Sequence, residues 1–413
     1  MKLAVVNAFY PPDPAITGVS ASILVEYIRK ALPGLEVTVF ATDRCYLGGA
    51  PPATPDRHVE RISASYRGAF RLLRLAGSIW DGLRLARRAC RYADLVIAMT
   101  DPPLLGLWVG MESRRRHRQW VEWTMDLYPE AFAAAGLISR SSRIYRLILQ
   151  AMRRFRPAHY ICLGPLQHRC IQAHRETSRP AFLLPCGVLS IGPSEVPAWR
   201  RDRRIILAYA GNVGEAHSCD VIAEIVRRAD PGRFAFVLAA SGLKSGRLKS
   251  LTRDCPNVTW RAHLPPWELA HADVHIVSLQ GRWKHVCVPS KAVAAVCLGR
   301  PILFAGSPDT DTWDQFEPAG WLIAEQPDGS YRAVDVDRSL EAIGSPQERA
   351  RKAHQAAMRG AQLRIAEQDE LRRIVDWLAA HILTPASPLQ PDSDPADQTV
   401  VGQECHANAR STQ

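Results

Sequence analysis

With 413 residues, 47% of them apolar, the chain has material for two cores of ordinary size, so two domains are expected. Its ten cysteines lie between Cys45 and Cys405 without a Cys-x-x-Cys pair or a Cys/His cluster at zinc spacing, which argues against a disulfide framework or a structural metal and for scattered thiols in a reducing compartment. A formal net charge of +11 suits nucleic acid, but no zinc finger, aromatic RNA-binding signature or glycine-looped clamp accompanies it, and nucleic acid is not expected as a partner.

The opening "MKLAVVNAFYPP" carries an apolar run that Asn7 interrupts before two prolines; lacking a small-residue cleavage pattern, it reads as a strand rather than a signal peptide. No apolar run reaches the ~18 residues of a membrane span, so a cytoplasmic protein is expected. "SASILVEYIRKAL" predicts a helix with Ile23, Tyr27 and Leu32 on or near one face, and "LEVTVFA" a strand, followed by a Gly- and Pro-rich loop around Gly48 to Pro55. A basic run from Arg67 to Arg91 includes Trp80 and Leu83. "ADLVIAMT", a helix from about Leu104, and "RQWVEWT" come next.

From Arg140 to Arg156 the chain has six arginines and no acid, while Ile144, Leu147, Ile148, Ala151, Met152 and Phe155 recur at helical spacing. Two readings stand: a core-packed helix whose arginines face water, or an amphipathic face for the anionic inner surface of the plasma membrane, with the protein peripheral on it. "AHYICL" and "AFLLPCG" complete the first half. Strands separated by helices in this way predict a largely parallel sheet covered on both faces.

"VLSIGPSEVPAWRRDRR" breaks the periodicity and reads as a linker. The alternation then resumes with strands "RIILAYA", "FAFVLAA", "VTW", "ADVHIVSL" and "RPILFAG", and with helices near His217, Lys244, Pro265 and Ser290. The expected organisation is a first α/β domain over 1–187, a linker over 188–204 and a second α/β domain over 205–365. A C-terminal helix over 366–383 is expected to pack back on the first domain, ahead of a disordered tail over 384–413. Two such domains in tandem face each other across a cleft at the carboxyl ends of their strands.

Three strand-to-helix turns point into that cleft. "PPDPAITGVSAS" places Gly18 before a helix; "YAGNVGEAHSCD" places Gly211, Asn212, Gly214 and His217 after the first strand of the second domain; "VPSK" starts a helix at Val288, Ser290 and Lys291. Glycines there let backbone approach a ligand, and a helix start offers unpaired N–H groups and a positive end, which together suit a diphosphate. None is a Walker sequence. His217 either bonds a phosphate or caps its helix. In "MTDPPLLG" and "WTMDLYPE", Asp101, Asp126 and Glu130 stand near strand ends on the facing wall, as acceptor-side or catalytic acids or else as caps of local backbone.

In order, "DLYPEAFAAAGLI", "YAGNVGEAH", "ADVHIVSL" and "VPSKAVAAVCLGRPILF" resemble segments of the family 4 glycosyltransferases that build bacterial cell-surface polysaccharides. The likeness spans roughly Lys2 to Leu340. It implies two Rossmann-like domains (GT-B), a nucleoside-diphosphate-sugar donor held by the second domain, a glycan or polyprenyl-linked acceptor at the first, and retention of anomeric configuration, without metal or cofactor. Gly18, Gly211 to Gly214, Ser290 and Lys291 would surround the donor phosphates. Where many members carry two glutamates, this chain has Val286 and Ala294, and Trp283, Lys284 and His285 replace a frequent Glu-Gly. Alternatives are a nucleoside-diphosphate-sugar epimerase and a non-catalytic sugar-nucleotide-binding relative.

Overall fold

A computed structural model describes residues 1–46, 48, 56–68, 70–190, 192 and 195–383. Apart from Gly48, the expected Gly/Pro-rich loop over Gly48 to Pro55 lies outside the described residues, as does the tail over 384–413.

In the first half, β1 (Lys2–Val6), β2 (Glu36–Thr42), β3 (Val59–Ile62), β4 (Leu95–Ala98), β5 (Gln119–Thr124), β6 (His159–Cys162) and β7 (Ala181–Leu183) form one sheet in the order β3-β2-β1-β4-β5-β6-β7. The second sheet is built from β8 (Ile205–Asn212), β9 (Phe234–Ser241), β10 (Val258–Trp260), β11 (Val274–Leu279), β12 (Ile302–Gly306) and β13 (Gly320–Ala324), in the order β10-β9-β8-β11-β12-β13. Every strand pairing in both sheets is parallel. β4, β11 and β12 are buried along their whole length, as expected of apolar strands covered on both faces. In each sheet the order reverses beside the first strand, between β1 and β4 and between β8 and β11. Loops leaving the carboxyl ends diverge at these places and open a crevice.

The two sheets are fixed to each other by more than a linker. One apolar cluster is shared: Leu127, Tyr160 and Ile171 from the first half pack with Val277, Trp283 and Val293 from the second. Beside it the Leu127 N–H donates to the Val286 carbonyl at 3.0 Å. Asp311, 2% exposed, accepts from the N–H groups of Leu166 and Gln167, each at 2.8 Å, and so caps a first-half helix (Pro165–Arg175) from the second half. A helix of 38 residues, Pro346–Leu383, passes the expected boundary at 365/366 without a break. Its Ala356 and Leu363 join the shared cluster, and its Leu371, Ile374, Val375 and Leu378 lie in the core beneath the first sheet.

Three local expectations change in the folded chain. The helix Ile16–Ala31 buries Ala21, Leu24, Val25 and Ile28, whereas Ile23 is exposed; the buried stripe is one residue on from the face that Ile23 and Tyr27 suggested. The 188–204 segment is not a free linker throughout. Trp199 donates from Nε1 to Glu268 at 2.7 Å and Arg200 forms a bidentate pair with Asp273 at 2.9 Å, docking it on the second domain. In the helix Arg143–Arg154 only Tyr145 and Met152 are buried, so the apolar face is split between core and solvent.

Asp311→Ala is expected to lower stability by about 1–2 kcal/mol, because it strips a buried helix start of its acceptor. Thermal unfolding of the purified chain checks this. Gly299, at φ +69 past the helix Ser290–Cys297, is a second such point. Gly299→Val should cost at least as much, since a β-branched residue tolerates positive φ poorly.

Candidate functional site

Between the carboxyl ends of the two sheets lies a cavity of about 580 Å³. Its second-domain wall is the turn after β8 and the start of the helix Ser290–Cys297. Gly211, at the carboxyl end of β8, has φ +108, and a Cβ on it would come within 3.2 Å of Lys291 Cε. Glycine therefore serves twice: the backbone turns, and the lysine side chain passes over it.

Lys291 Nζ donates to the Asn212 carbonyl and to His217 Nε2, each at 3.1 Å, and lies 5.4 Å from the Tyr209 ring centre. The Ser278 carbonyl, 2.6 Å from His217 Nδ1, can only accept, so Nδ1 carries the proton and Nε2 is the acceptor for Lys291. Burial, and then the Lys291 charge, push the His217 imidazole down to about 3, which keeps it neutral at physiological pH. Burial also lowers Lys291 itself to about 8. The result is a buried ammonium group with two neutral acceptors and, among the described residues, no paired carboxylate, which favours the arrival of an anion.

The turn is tied back from the far side. Lys244 Nζ holds the carbonyls of Glu215 and His217 at 3.1 and 2.8 Å, and Gln280 Nε2 holds the His217 carbonyl at 2.8 Å. Across the crevice Tyr46 lines the cavity, and Arg71 pairs with Glu215 at 2.9 Å. Val288, Pro289, Ser290 and Lys291 all line the cavity at the helix start. First-domain backbone closes on this helix at Gly187, φ +94, where a Cβ would meet the Ser290 carbonyl at 2.8 Å.

On the facing wall Asp101 follows β4 and Asp126 follows β5, and both line the cavity. Thr100 Oγ1 fixes the Asp126 turn by accepting from the N–H groups of Met125 and Asp126 at 3.0 and 2.9 Å. Burial, and then the nearby Asp126 charge, push the Asp101 carboxyl up to about 7; burial pushes Asp126 up to about 6. Such a pair holds a proton near neutral pH and can accept hydrogen bonds from, or take a proton from, a hydroxyl placed between the walls.

The structure thus brings Asp101, Asp126, Gly211, Asn212, Gly214, His217, Val288, Ser290 and Lys291 to one cavity. It separates two others from it. Gly18 lies within the first turn of its helix rather than before it, and a Cβ there would strike the Phe9 backbone at 3.0 Å, so its smallness serves packing. Glu130 is 2% exposed and turned away, its Oε1 2.9 Å from His174 Nδ1. His217 does not cap its helix; Ser218 does, accepting from the Val221 N–H at 3.4 Å. Sequence reasoning did not single out Tyr46, Lys244, Ser278 or Gln280. Only Lys244, in the glycine-flanked "SGLKSG" after β9, carries a comparable strand-end signal.

The raised Asp101 pKa has a definite sign in stability. The folded carboxyl holds its proton to about 7, above the ~3.9 of an unfolded chain, so folding is progressively penalised as pH rises from about 4 to 7. Asp101→Asn should therefore raise the melting temperature at pH 8 and change it little at pH 4, as read by scanning calorimetry at both values.

No protein-family model matches the chain. A curated relative, the probable glycosyltransferase WbjE of Pseudomonas aeruginosa, is 23% identical over 239 residues, 54% of this chain and 59% of that protein, so the match spans about three fifths of the relative's length. Among solved structures, the sucrose-phosphate synthase of Thermosynechococcus elongatus superposes with a TM-score of 0.69 at 15% identity, over 92% of this chain and 100% of that one. WaaG, a glycosyltransferase involved in lipopolysaccharide biosynthesis, gives 0.64 at 16% identity over 91% and 99%. Anabaena HepE, solved with UDP and glucose, gives 0.62 at 14% identity over 92% and 100%. At these identities the likeness is one of architecture, and the two facing parallel-sheet domains are those of the GT-B glycosyltransferase structures.

Proposed function

We propose that this protein is a retaining glycosyltransferase that takes a sugar from a nucleoside-diphosphate-sugar donor to a glycan or polyprenyl-linked acceptor in cell-surface polysaccharide synthesis. The observation that carries this reading is Lys291, a buried ammonium held by neutral acceptors at a helix start beside the β8/β11 crevice. Curated and structural relatives with glycosyltransferase names support the same reading.

In this reading the donor diphosphate lies against the Gly211–Gly214 turn and the start of the helix Ser290–Cys297. Charge developing on the leaving diphosphate is met by Lys291 and by the helix end, both fixed before the reaction begins. His217 is a positioning residue: with Nδ1 anchored on Ser278, its Nε2 fixes where Lys291 points. Asp101 and Asp126 orient the acceptor hydroxyl from the facing wall, and the departing phosphate oxygen takes its proton on the face the sugar leaves.

The acceptor-side domain offers a lipid-facing surface in support of a polyprenyl-linked acceptor. The helices Arg71–Tyr92 and Arg143–Arg154 share a cluster through Leu75, Ile79, Ile148 and Met152. Beside it Phe70, Leu72, Leu73, Ile144 and Leu147 are each more than half exposed, at 53–63%. Not all the arginines of the two runs serve such a surface. Arg84, Arg87 and Arg88 pair with Asp81, Glu112 and Glu60, and Arg153 with Glu176.

Lys291→Ala is expected to weaken donor binding about tenfold to a hundredfold without lowering the melting temperature of the free chain, as read by calorimetric titration and thermal unfolding. Because Lys291 loses its proton above about 8, diphosphate affinity of the wild type should fall about tenfold or more between pH 7 and pH 9.5, and this slope should vanish in Lys291→Ala. Incubation with donor and polyprenyl-diphosphate acceptors, followed by mass analysis, tests transfer. An isomerised sugar without acceptor would indicate an epimerase, and binding without product a non-catalytic relative. The chain should also sediment with phosphatidylglycerol vesicles at low salt, and Ile144→Glu with Leu147→Glu should abolish this while sparing transfer to a short soluble acceptor.

A further inference from the structure

His275 lines the cavity with only half of its ring engaged. It stands on β11, 6% exposed, and its Nε2 lies 3.0 Å from the Leu269 carbonyl. A carbonyl can only accept, so Nε2 carries the proton and Nδ1 carries a lone pair. Burial pushes the imidazole down to about 4, which keeps it neutral at physiological pH. Among the described residues nothing hydrogen-bonds Nδ1, and an acceptor left without a partner in a largely buried side chain costs free energy in the empty protein.

Its place along the strand says which part of a ligand it meets. The carboxyl ends of the two sheets face each other across the cavity, and β11 runs from Val274 to Leu279, so His275 is at the end remote from the first domain. Ser278, whose carbonyl anchors His217 and through it Lys291, stands three residues on, about 10 Å along the strand. His275 pairs with Ala208 of β8, and Ala210, two residues on and on the same face, also lines the cavity. The cavity therefore extends back along this face of the second sheet to His275. The other second-domain lining residues with amide, hydroxyl, imidazole, ammonium or carboxylate side chains are Asn212, Glu215, His217, Ser290 and Lys291, in the glycine turn and at the helix start.

In the proposed function the diphosphate lies at Lys291 and the sugar is passed to the first-domain wall that carries Asp101 and Asp126. The nucleoside, attached at the other end of the diphosphate, then runs away from that wall along the second sheet. We propose that His275 is a specificity-determining residue whose Nδ1 accepts a hydrogen bond from the donor's nucleoside, from an N–H of the base or a hydroxyl of the ribose. The inference rests on the donor reading of the cavity and adds the side chain that tells a nucleoside diphosphate from a bare diphosphate.

The test is calorimetric titration of the full chain with inorganic diphosphate and with UDP, GDP, ADP and CDP. His275→Phe keeps a flat ring without an acceptor; it is expected to bind the wild type's preferred nucleoside diphosphate about tenfold more weakly and inorganic diphosphate as the wild type does. A loosened sheet would lose both ligands alike. His275→Gln, whose amide offers an N–H to Leu269 and an oxygen to the nucleoside, should recover most of the loss, and a His275→Gln chain no better than His275→Phe counts against an acceptor at this position. If His275→Phe does not fold, as read by thermal unfolding, His275→Leu takes its place in each comparison.

Titration with the base-N-methylated, 2′-deoxy and 3′-deoxy forms of the same nucleotide finds the bonded group. One of them is expected to bind the wild type about tenfold more weakly than its parent does, and to bind His275→Phe as well as its parent does. The assignment is overturned, with the donor reading left standing, if no analogue behaves in this way, if His275→Phe loses both ligands alike, or if it binds the parent nucleotide as the wild type does. Binding of none of the four nucleoside diphosphates overturns the donor reading and this inference with it.

Discussion

The seam between the two sheets governs everything else in the molecule. Leu127 donates its backbone N–H to Val286 beneath a cluster built from both halves, and Asp311 caps a helix of the opposite domain. Such contacts are made of buried apolar surface and desolvated hydrogen bonds, so loosening them costs both terms at once. The crevice walls are consequently set at one spacing. Contacts on the open side are of another kind: the Arg71–Glu215 pair is half exposed on the arginine side and contributes little in water. A molecule firm at the seam and lightly tied at the mouth can admit a ligand from the mouth without losing the relation between its walls.

Fixed walls matter because the charged groups they carry are poorly solvated. Lys291 is held by two neutral acceptors, and burial makes both Asp101 and Asp126 costly to ionise, the Asp126 charge adding to the cost at Asp101. Each of these groups destabilises the empty protein, which is the usual mark of a site arranged for a partner that completes it. In the proposed function a diphosphate answers the lysine, and a hydroxyl answers the acids. The gap between the two walls is where a sugar would change hands.

The basic helices illustrate how an amphipathic pattern is divided in a folded domain. Ile148, Ala151, Met152 and Phe155 went to a cluster with the helix Arg71–Tyr92, while Ile144 and Leu147, on the same helical pattern, stayed in solvent. Several arginines found acidic partners that lie far away in sequence, Glu60 and Glu112 among them. What remains is an exposed apolar edge with basic neighbours rather than a uniformly basic face.

Strand and helix alternation, the turn glycines and the Pro-Ser-Lys helix start were legible in the sequence, because backbone preference and apolar periodicity are local properties. From them followed the α/β class, the two sheets and the crevice position of Gly211, Asn212, Lys291, Asp101 and Asp126. Glu130 and Gly18 are not among the residues lining the cavity, and the reason is tertiary: the Glu130 carboxylate turns to His174, and Gly18 packs against the Phe9 backbone. Tertiary structure alone decided that His217 and Asn212 hold Lys291, that Lys244 and Gln280 tie down the turn, and that Asp311 caps a helix 144 residues away. Those contacts join residues distant in sequence, and their strength comes from burial that no local pattern records.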